Sequence, residues 1–134
     1  MATINSFEDI ISWKEARVLN ENIGKLIDSG RFKQNYRLIN QIEGSAGSIM
    51  DNIAEGFERG GNREFIQFLY IAKASCGEFR SQLYRAFDRK LISKEEFEIF
   101  SVHAKKISSL IQKLITYLQN SEEKGIKYKA RENK

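Results

Sequence analysis

Ser48-Ile49-Met50-Asp51-Asn52-Ile53-Ala54-Glu55-Gly56-Phe57-Glu58-Arg59 reads as a helix carrying two adjoining stripes. Ile49, Ile53 and Phe57 recur at four-residue steps and share one apolar face, the spacing of a helix laid on a core. Ser48, Asn52, Glu55 and Arg59 recur beside it and form a polar stripe at the edge of that face. Upstream the apolar face continues through Leu38, Ile39, Ile42 and Ala46, with a cap signal at Asn35. The helix therefore spans about residues 35–59. Gly44, Ser45, Gly47 and Ser48 crowd its middle. Each glycine inside a helix costs about 1 kcal/mol relative to alanine, which predicts a neighbouring backbone in close approach there. Gly60-Gly61 breaks the helix, and Asn62 is suited to cap the next one.

The rest of the chain repeats the same period. Trp13, Ala16, Leu19, Ile23, Leu26 and Ile27 mark a first helix over about 12–29. Ser12 with Glu15 has capping-box spacing at its start, and Ser6 with Asp9 is a second choice. Gly30 takes the left-handed position after it. Phe65, Phe68, Leu69, Ala72, Cys76, Phe79, Leu83, Ala86 and Phe87 carry a third helix over about 63–90. Its first half, 65–72, is apolar nearly all the way round, so Ile66, Tyr70 and Ile71 are candidates for an oligomer interface. Ser93 and Glu96 make a capping box, with Ile92 and Phe97 in the positions of a hydrophobic staple. The fourth helix then runs over about 94–120 through Phe100, Ala104, Ile107, Ile111, Leu114 and Leu118. Residues 125–134 lack an apolar face and are expected to fray as a basic C-terminal tail.

Four helices of ~30–40 Å joined by connectors of a few residues must run antiparallel to their neighbours. The fold expected is all-α, an antiparallel up-down-up-down four-helix bundle occupying residues 1–124.

Composition sets broad limits. The 134 residues carry a net charge of +4, 41% hydrophobic residues, no proline and a single cysteine, Cys76. The charge permits contact with nucleic acid without demanding it. The positive charge is concentrated on the third helix and the tail: Lys73, Arg80, Arg85, Arg89 and Lys90, then Lys124, Lys127, Lys129, Arg131 and Lys134. No apolar run approaches the ~18 residues of a membrane span, the N-terminus lacks a signal-peptide pattern, and a lone cysteine forms no internal disulfide. These features place the protein in the cytoplasm.

Few residues suggest chemistry. His103 is the only histidine and has Phe100, not Glu, three residues before it, so neither zinc nor di-metal carboxylate spacing is met. Cys76 lies on an apolar face and reads as an inert core thiol. Gly60-Gly61 between Arg59 and Arg63 lacks the Gly-Lys-Ser/Thr of a phosphate loop. No metal or cofactor is expected. Pairing the second and third helices across Gly60-Gly61 puts Phe57 near Phe65, Ile53 near Phe68 and Leu69, Ala46 near Cys76 and Ile42 near Phe79. The same register brings Ser45 and Ser48 toward Ser75 and Glu78, and turns Glu55 toward Gln67 and Arg59. Ser48, Asn52, Glu55, Arg59, Ser75 and Glu78 then read as a half-buried network that fixes register, in preference to a catalytic pocket.

Trp13 and Ala16, then Gln41, Ile42, Ser48, Ile49, Asn52, Ile53, Ala54, Glu55, Gly56 and Arg59, then Glu64, Phe65, Phe68, Leu69, Ala72, Ser75 and Glu78 form a pattern over about residues 7–120. That pattern resembles the 23S rRNA intervening-sequence protein family of four-helix-bundle proteins, itself similar to the accessory proteins of diversity-generating retroelements. The resemblance implies a ring-like homopentamer without enzymatic activity, with RNA or a nucleic-acid-processing protein as partner. The paired arginines of the family pattern are Glu43 and Gly44 here, the next alanine is Ser45, and Ala74 replaces the glycine before Ser75. Fewer positive charges on the second helix leave any phosphate contact to Lys73, Arg80, Arg85, Arg89, Lys90 and the tail. The leading reading is an oligomeric adaptor that binds RNA or such a partner. The alternative is a structural protein-interaction module with no nucleic-acid role. An enzyme built on Glu55 and Glu78 is the third, and it lacks convergent groups beside them.

Overall fold

Each reversal of the chain is set by local chemistry. The computed structural model describes the backbone of residues 4–132 and the side chains of residues 4–121. A 3-10 turn, Phe7–Asp9, precedes four helices: α1 Ile11–Asp28, α2 Tyr36–Glu58, α3 Asn62–Asp88 and α4 Lys94–Glu132. α1 ends on Gly30 at φ +85° and α2 on Gly60 at φ +86°, the left-handed conformation that glycine adopts without a Cβ penalty. The Asn35 side chain accepts a hydrogen bond from the Leu38 N–H at 3.2 Å and caps α2. At α4 the capping box is reciprocal. Glu96 N–H donates to Ser93 Oγ at 3.0 Å, and Ser93 N–H donates to Glu96 Oε1 at 2.7 Å.

Two helix starts differ from the sequence reading. α1 begins at Ile11, so Ser12 lies inside it with its hydroxyl buried, and Glu15 reaches across to α4. The local cap forms one turn earlier, where Asp9 Oδ2 accepts from the N–H groups of Asn5 and Ser6 at 3.0 and 3.2 Å. Gly61, not Asn62, is the N-cap of α3, and Asn62 is its first residue. The stop expected near Asn120 is also absent, because the backbone of α4 continues to Glu132. The backbone of residues 125–132, expected to fray, is therefore drawn as part of α4. No proline interrupts this stretch, and a lone Gly125 weakens a helix without ending it. The basic side chains of the tail and residues 133–134 lie outside the described residues.

The helices form an antiparallel up-down-up-down four-helix bundle. α2 packs on α3, α3 on α4, and α1 on α2 and α4, while among the described residues the diagonal pairs stay apart. Short connectors leave sequential helices no other neighbour. Every helix points its apolar stripe inward: Ala16, Leu19 and Ile23; Ile42, Ala46, Ile49 and Ile53; Leu69, Ala72, Phe79 and Leu83; Ala104, Ile107, Ile111 and Ile115. Phe32, from the short α1–α2 connector, is fully buried and closes one end of this core.

The close approach expected at Gly44 and Gly47 is not there. A Cβ on Gly44 would meet nothing within 4 Å, and one on Gly47 only side-chain oxygens at 4.0 Å. Gly56 is the glycine at which α3 comes close. A Cβ there would stand 2.6 Å from Phe68 Cβ and 3.1 Å from the Phe65 ring. The Gly60-Gly61 turn is only a few residues away.

Candidate nucleic-acid interface

The α2–α3 seam holds the polar stripe. Ser48 and Ser75 share a hydrogen bond between hydroxyls at 2.8 Å. Asn52 Nδ2 donates to Ser48 Oγ at 2.9 Å and to the Ser48 carbonyl at 2.8 Å. Phe57 and Phe65 pack edge to face at 5.9 Å, so the register set by the turn holds at both places. Ser45 takes a partner the sequence reading did not include. Its Oγ lies 2.6 Å from the side-chain oxygen of Gln82 and 3.1 Å from the Ile42 carbonyl, and both side chains are buried. One hydroxyl proton cannot serve two oxygens. Both contacts are satisfied when Gln82 donates through its amide nitrogen, the two amide heteroatoms being interchangeable in outline.

Glu55 and Arg59 stand outside this buried set. They pair at 3.1 Å on the surface, where Arg59 also lies over the Phe68 ring at 5.1 Å. Glu78 is exposed and has no hydrogen-bond or ion-pair partner among the described residues, so it does not join the network. Glu55 sits level with the start of α3, about ten residues and ~15 Å along the axis from Glu78. The two carboxylates do not converge. Among the described residues, no three His, Cys, Asp or Glu side chains gather, and no helix is long and apolar enough to cross a membrane. Burial pushes the Cys76 thiol up to about 12 and keeps it protonated.

The five candidate cations of α3 divide into three places. Lys73 leans toward α4, where its Nζ donates to Gln112 Oε1 at 2.7 Å. Arg80 is two turns further on the same face and lines one groove with Lys73, Tyr70, Ala74, Gly77 and Ser108. Its Nε is buried without a partner. Arg85 leans the other way and donates to Gln41 Oε1 on α2 at 2.6 Å. Arg89 and Lys90 sit exposed at the α3–α4 turn, with Lys90 in the left-handed region at φ +62°. No carboxylate pairs with any of the five among the described residues. The ion pairs lie elsewhere: Glu21 with Lys25, Arg31 with Glu96, Arg59 with Glu55, and Glu15 with His103 and Lys106. Tyr70 and Ile71 are 46% and 49% exposed, and Ile66 is half-buried.

Three further features carry little signal in the sequence. Asn20 Nδ2 donates to the Ala46 carbonyl at 2.8 Å and ties α1 to α2. His103 Nε2 meets Glu15 Oε1 at 2.9 Å, and Lys106 Nζ reaches the same oxygen at 3.3 Å. Val18, Ile99 and Val102 add exposed apolar surface on α1 and α4. A polar residue interrupting an apolar stripe is a legible hint for Asn20, Ser45 and Gln82. The Glu15–His103 pair, 88 residues apart, requires the fold.

A family model described as 23S rRNA-intervening sequence protein matches residues 8–113. A comparison with curated proteins gives no match. Among solved structures, a protein of unknown function from the S23 ribosomal protein family of Bacteroides thetaiotaomicron has a similar fold. It superposes with a TM-score of 0.68 at 21% identity, covering 79% of this chain and 96% of that one. The matched region takes in α1, α2, α3 and half of α4, including the polar seam and all five cations of α3. With most of its length accounted for in this way, the chain belongs to the 23S rRNA-intervening sequence protein family.

Proposed function

We propose that this protein is a non-enzymatic, oligomeric four-helix bundle that binds RNA through the basic side of α3. The observation that carries the reading is the unpaired state of Lys73, Arg80, Arg85, Arg89 and Lys90 among the described residues. Cations without carboxylate partners keep their full charge for a phosphate backbone, and release of its counterions supplies affinity. Tyr70 and Ile71 add apolar surface beside these charges and suit contact between copies of the chain. The family's name, which refers to a 23S rRNA intervening sequence, supports an RNA role.

Fluorescence anisotropy with ribosomal RNA fragments tests the RNA part. Affinity should fall about a hundredfold or more between low and physiological salt, and Arg85→Glu with Arg89→Glu should remove most of it. Binding that ignores salt, or that survives both reversals, would exclude it. Light scattering tests the assembly, since a stable monomer at micromolar concentration contradicts the oligomer. A second reading, an interaction module without nucleic acid, draws support from Glu43 and Gly44, which are exposed where the family pattern carries paired arginines.

A further inference from the structure

We propose that the groove between α3 and α4 at Lys73 and Arg80 is a phosphate-binding site. The inference deepens the RNA reading, but the groove is defined by its own geometry. It encloses about 330 Å³. Lys73 and Arg80 both line it, ~10 Å apart along the helix axis. Between them lie Ala74 and Gly77, whose short side chains leave the floor open. A Cβ on Gly77 would meet nothing within 4 Å. Ser108 forms the opposite wall, and no carboxylate lines the groove.

The decisive feature is an unmet polar requirement. Arg80 is half-buried, its Nε is shielded from solvent, and none of its nitrogens has a protein partner among the described residues. A buried N–H without an acceptor is costly. Its two Nη groups are not shielded, and they present the planar pair of donors that takes two phosphate oxygens at once. Ser101 Oγ, two turns before Ser108 on the same face of α4, is also buried without a partner, beneath the surface of the groove and not in its lining. It follows Phe100, which packs against Phe79 beside Arg80 at 6.4 Å. Lys73 spends one hydrogen on Gln112 and keeps two for a ligand. Two cations, the Ser108 hydroxyl and no carboxylate suit an acceptor-rich, anionic ligand such as a phosphate group. The source is either an RNA backbone or a free phosphate.

The probe is inorganic phosphate titrated into the full chain at constant ionic strength, with chloride as the balancing anion. The Arg80 Nε–H resonance, followed by nitrogen-edited NMR, should move saturably. Arg80→Gln should weaken phosphate binding, read by calorimetry, at least about tenfold. Gly77→Leu should do the same by filling the floor, with both charges intact and helix propensity improved; its circular dichroism should match wild type. Lys25→Gln, on α1 away from the groove, should leave phosphate binding unchanged. An Arg80 resonance that does not respond overturns the site, as does wild-type binding in both Arg80→Gln and Gly77→Leu. An RNA that displaces phosphate from Arg80 identifies the backbone as the source. Phosphate binding in a protein that binds no RNA identifies a free phosphate, and only the RNA reading then falls.

Discussion

A methyl group on Gly56 would stand 2.6 Å from Phe68 Cβ, closer than real Cβ contacts permit. The obstacle is the root of a side chain, together with the Phe65 ring at 3.1 Å and the Phe65 carbonyl at 3.4 Å, so α3 itself must move. Overpacking of this kind costs about 1–3 kcal/mol, against about 1 kcal/mol recovered from helix propensity. Gly56→Ala should therefore destabilise the bundle by up to about 2 kcal/mol, since backbone rather than a rotamer must yield. Gly44→Ala, with nothing within 4 Å, should stabilise it by about 0.5–1 kcal/mol. Urea midpoints at fixed slope compare the two, and a Gly56→Ala variant as stable as wild type would remove the close-approach account.

Ser45 and Gln82 bridge α2 and α3 inside the core at 2.6 Å. Removing one partner strands the other away from water, at about 1–3 kcal/mol. Gln82→Ala and Ser45→Ala should each be destabilising. Their double mutant should cost less than the sum, with a coupling of about 1 kcal/mol. Additive losses in a double-mutant cycle would show that the contact contributes nothing of its own.

Much of the fold was legible because it is written locally. Asn35 and the Ser93–Glu96 pair mark helix starts by side-chain chemistry that needs no tertiary context. The Gly60-Gly61 turn leaves two antiparallel helices only one register, which brings Ser48 onto Ser75. Where context decides, the pattern was silent or misleading. Phe32 is a lone aromatic between polar residues, and periodicity cannot flag a core residue in a connector. Glu15 has capping-box spacing from Ser12 yet turns to His103, because a carboxylate finds a stronger partner across the bundle than in its own backbone. Gln82 is two turns beyond Ser75 and one beyond Glu78, the residues expected near Ser45, and its longer side chain reaches the serine. The basic face was visible as composition. That Arg80 and Lys73 share a groove while Arg85 turns to α2 depends on how three helices pack.

Lys90 occupies the left-handed C′ position after α3, at φ +62°. The Leu91 N–H donates to the Ala86 carbonyl at 2.9 Å and the Lys90 N–H to the Phe87 carbonyl at 2.9 Å, the paired bonds of a Schellman motif. Glycine is the residue that position favours, so Lys90→Gly should raise stability by up to about 1 kcal/mol. If Lys90 also touches phosphate, the same change should lower the salt slope of RNA binding by about one. Denaturation and anisotropy read the two effects separately. A glycine variant with unchanged salt dependence would take Lys90 out of the interface.

Glu15 sets a pH dependence with a definite sign. Its carboxylate is 28% exposed and is held below its ordinary value of 4.5, chiefly by the hydrogen bond from His103 and then by Lys106, against the opposing effect of burial. A carboxyl group that ionises more readily in the folded state stabilises that state above its unfolded pKa. The contribution fades as pH falls through the lower folded value. At about pH 5.5, Glu15→Gln should cost about 1 kcal/mol or less, the range for a pair still reached by solvent. At about pH 2.5 the wild type and the Gln variant should have nearly equal denaturation midpoints. A stability difference that persists undiminished to that pH would mean that Glu15 owes its effect to shape rather than charge.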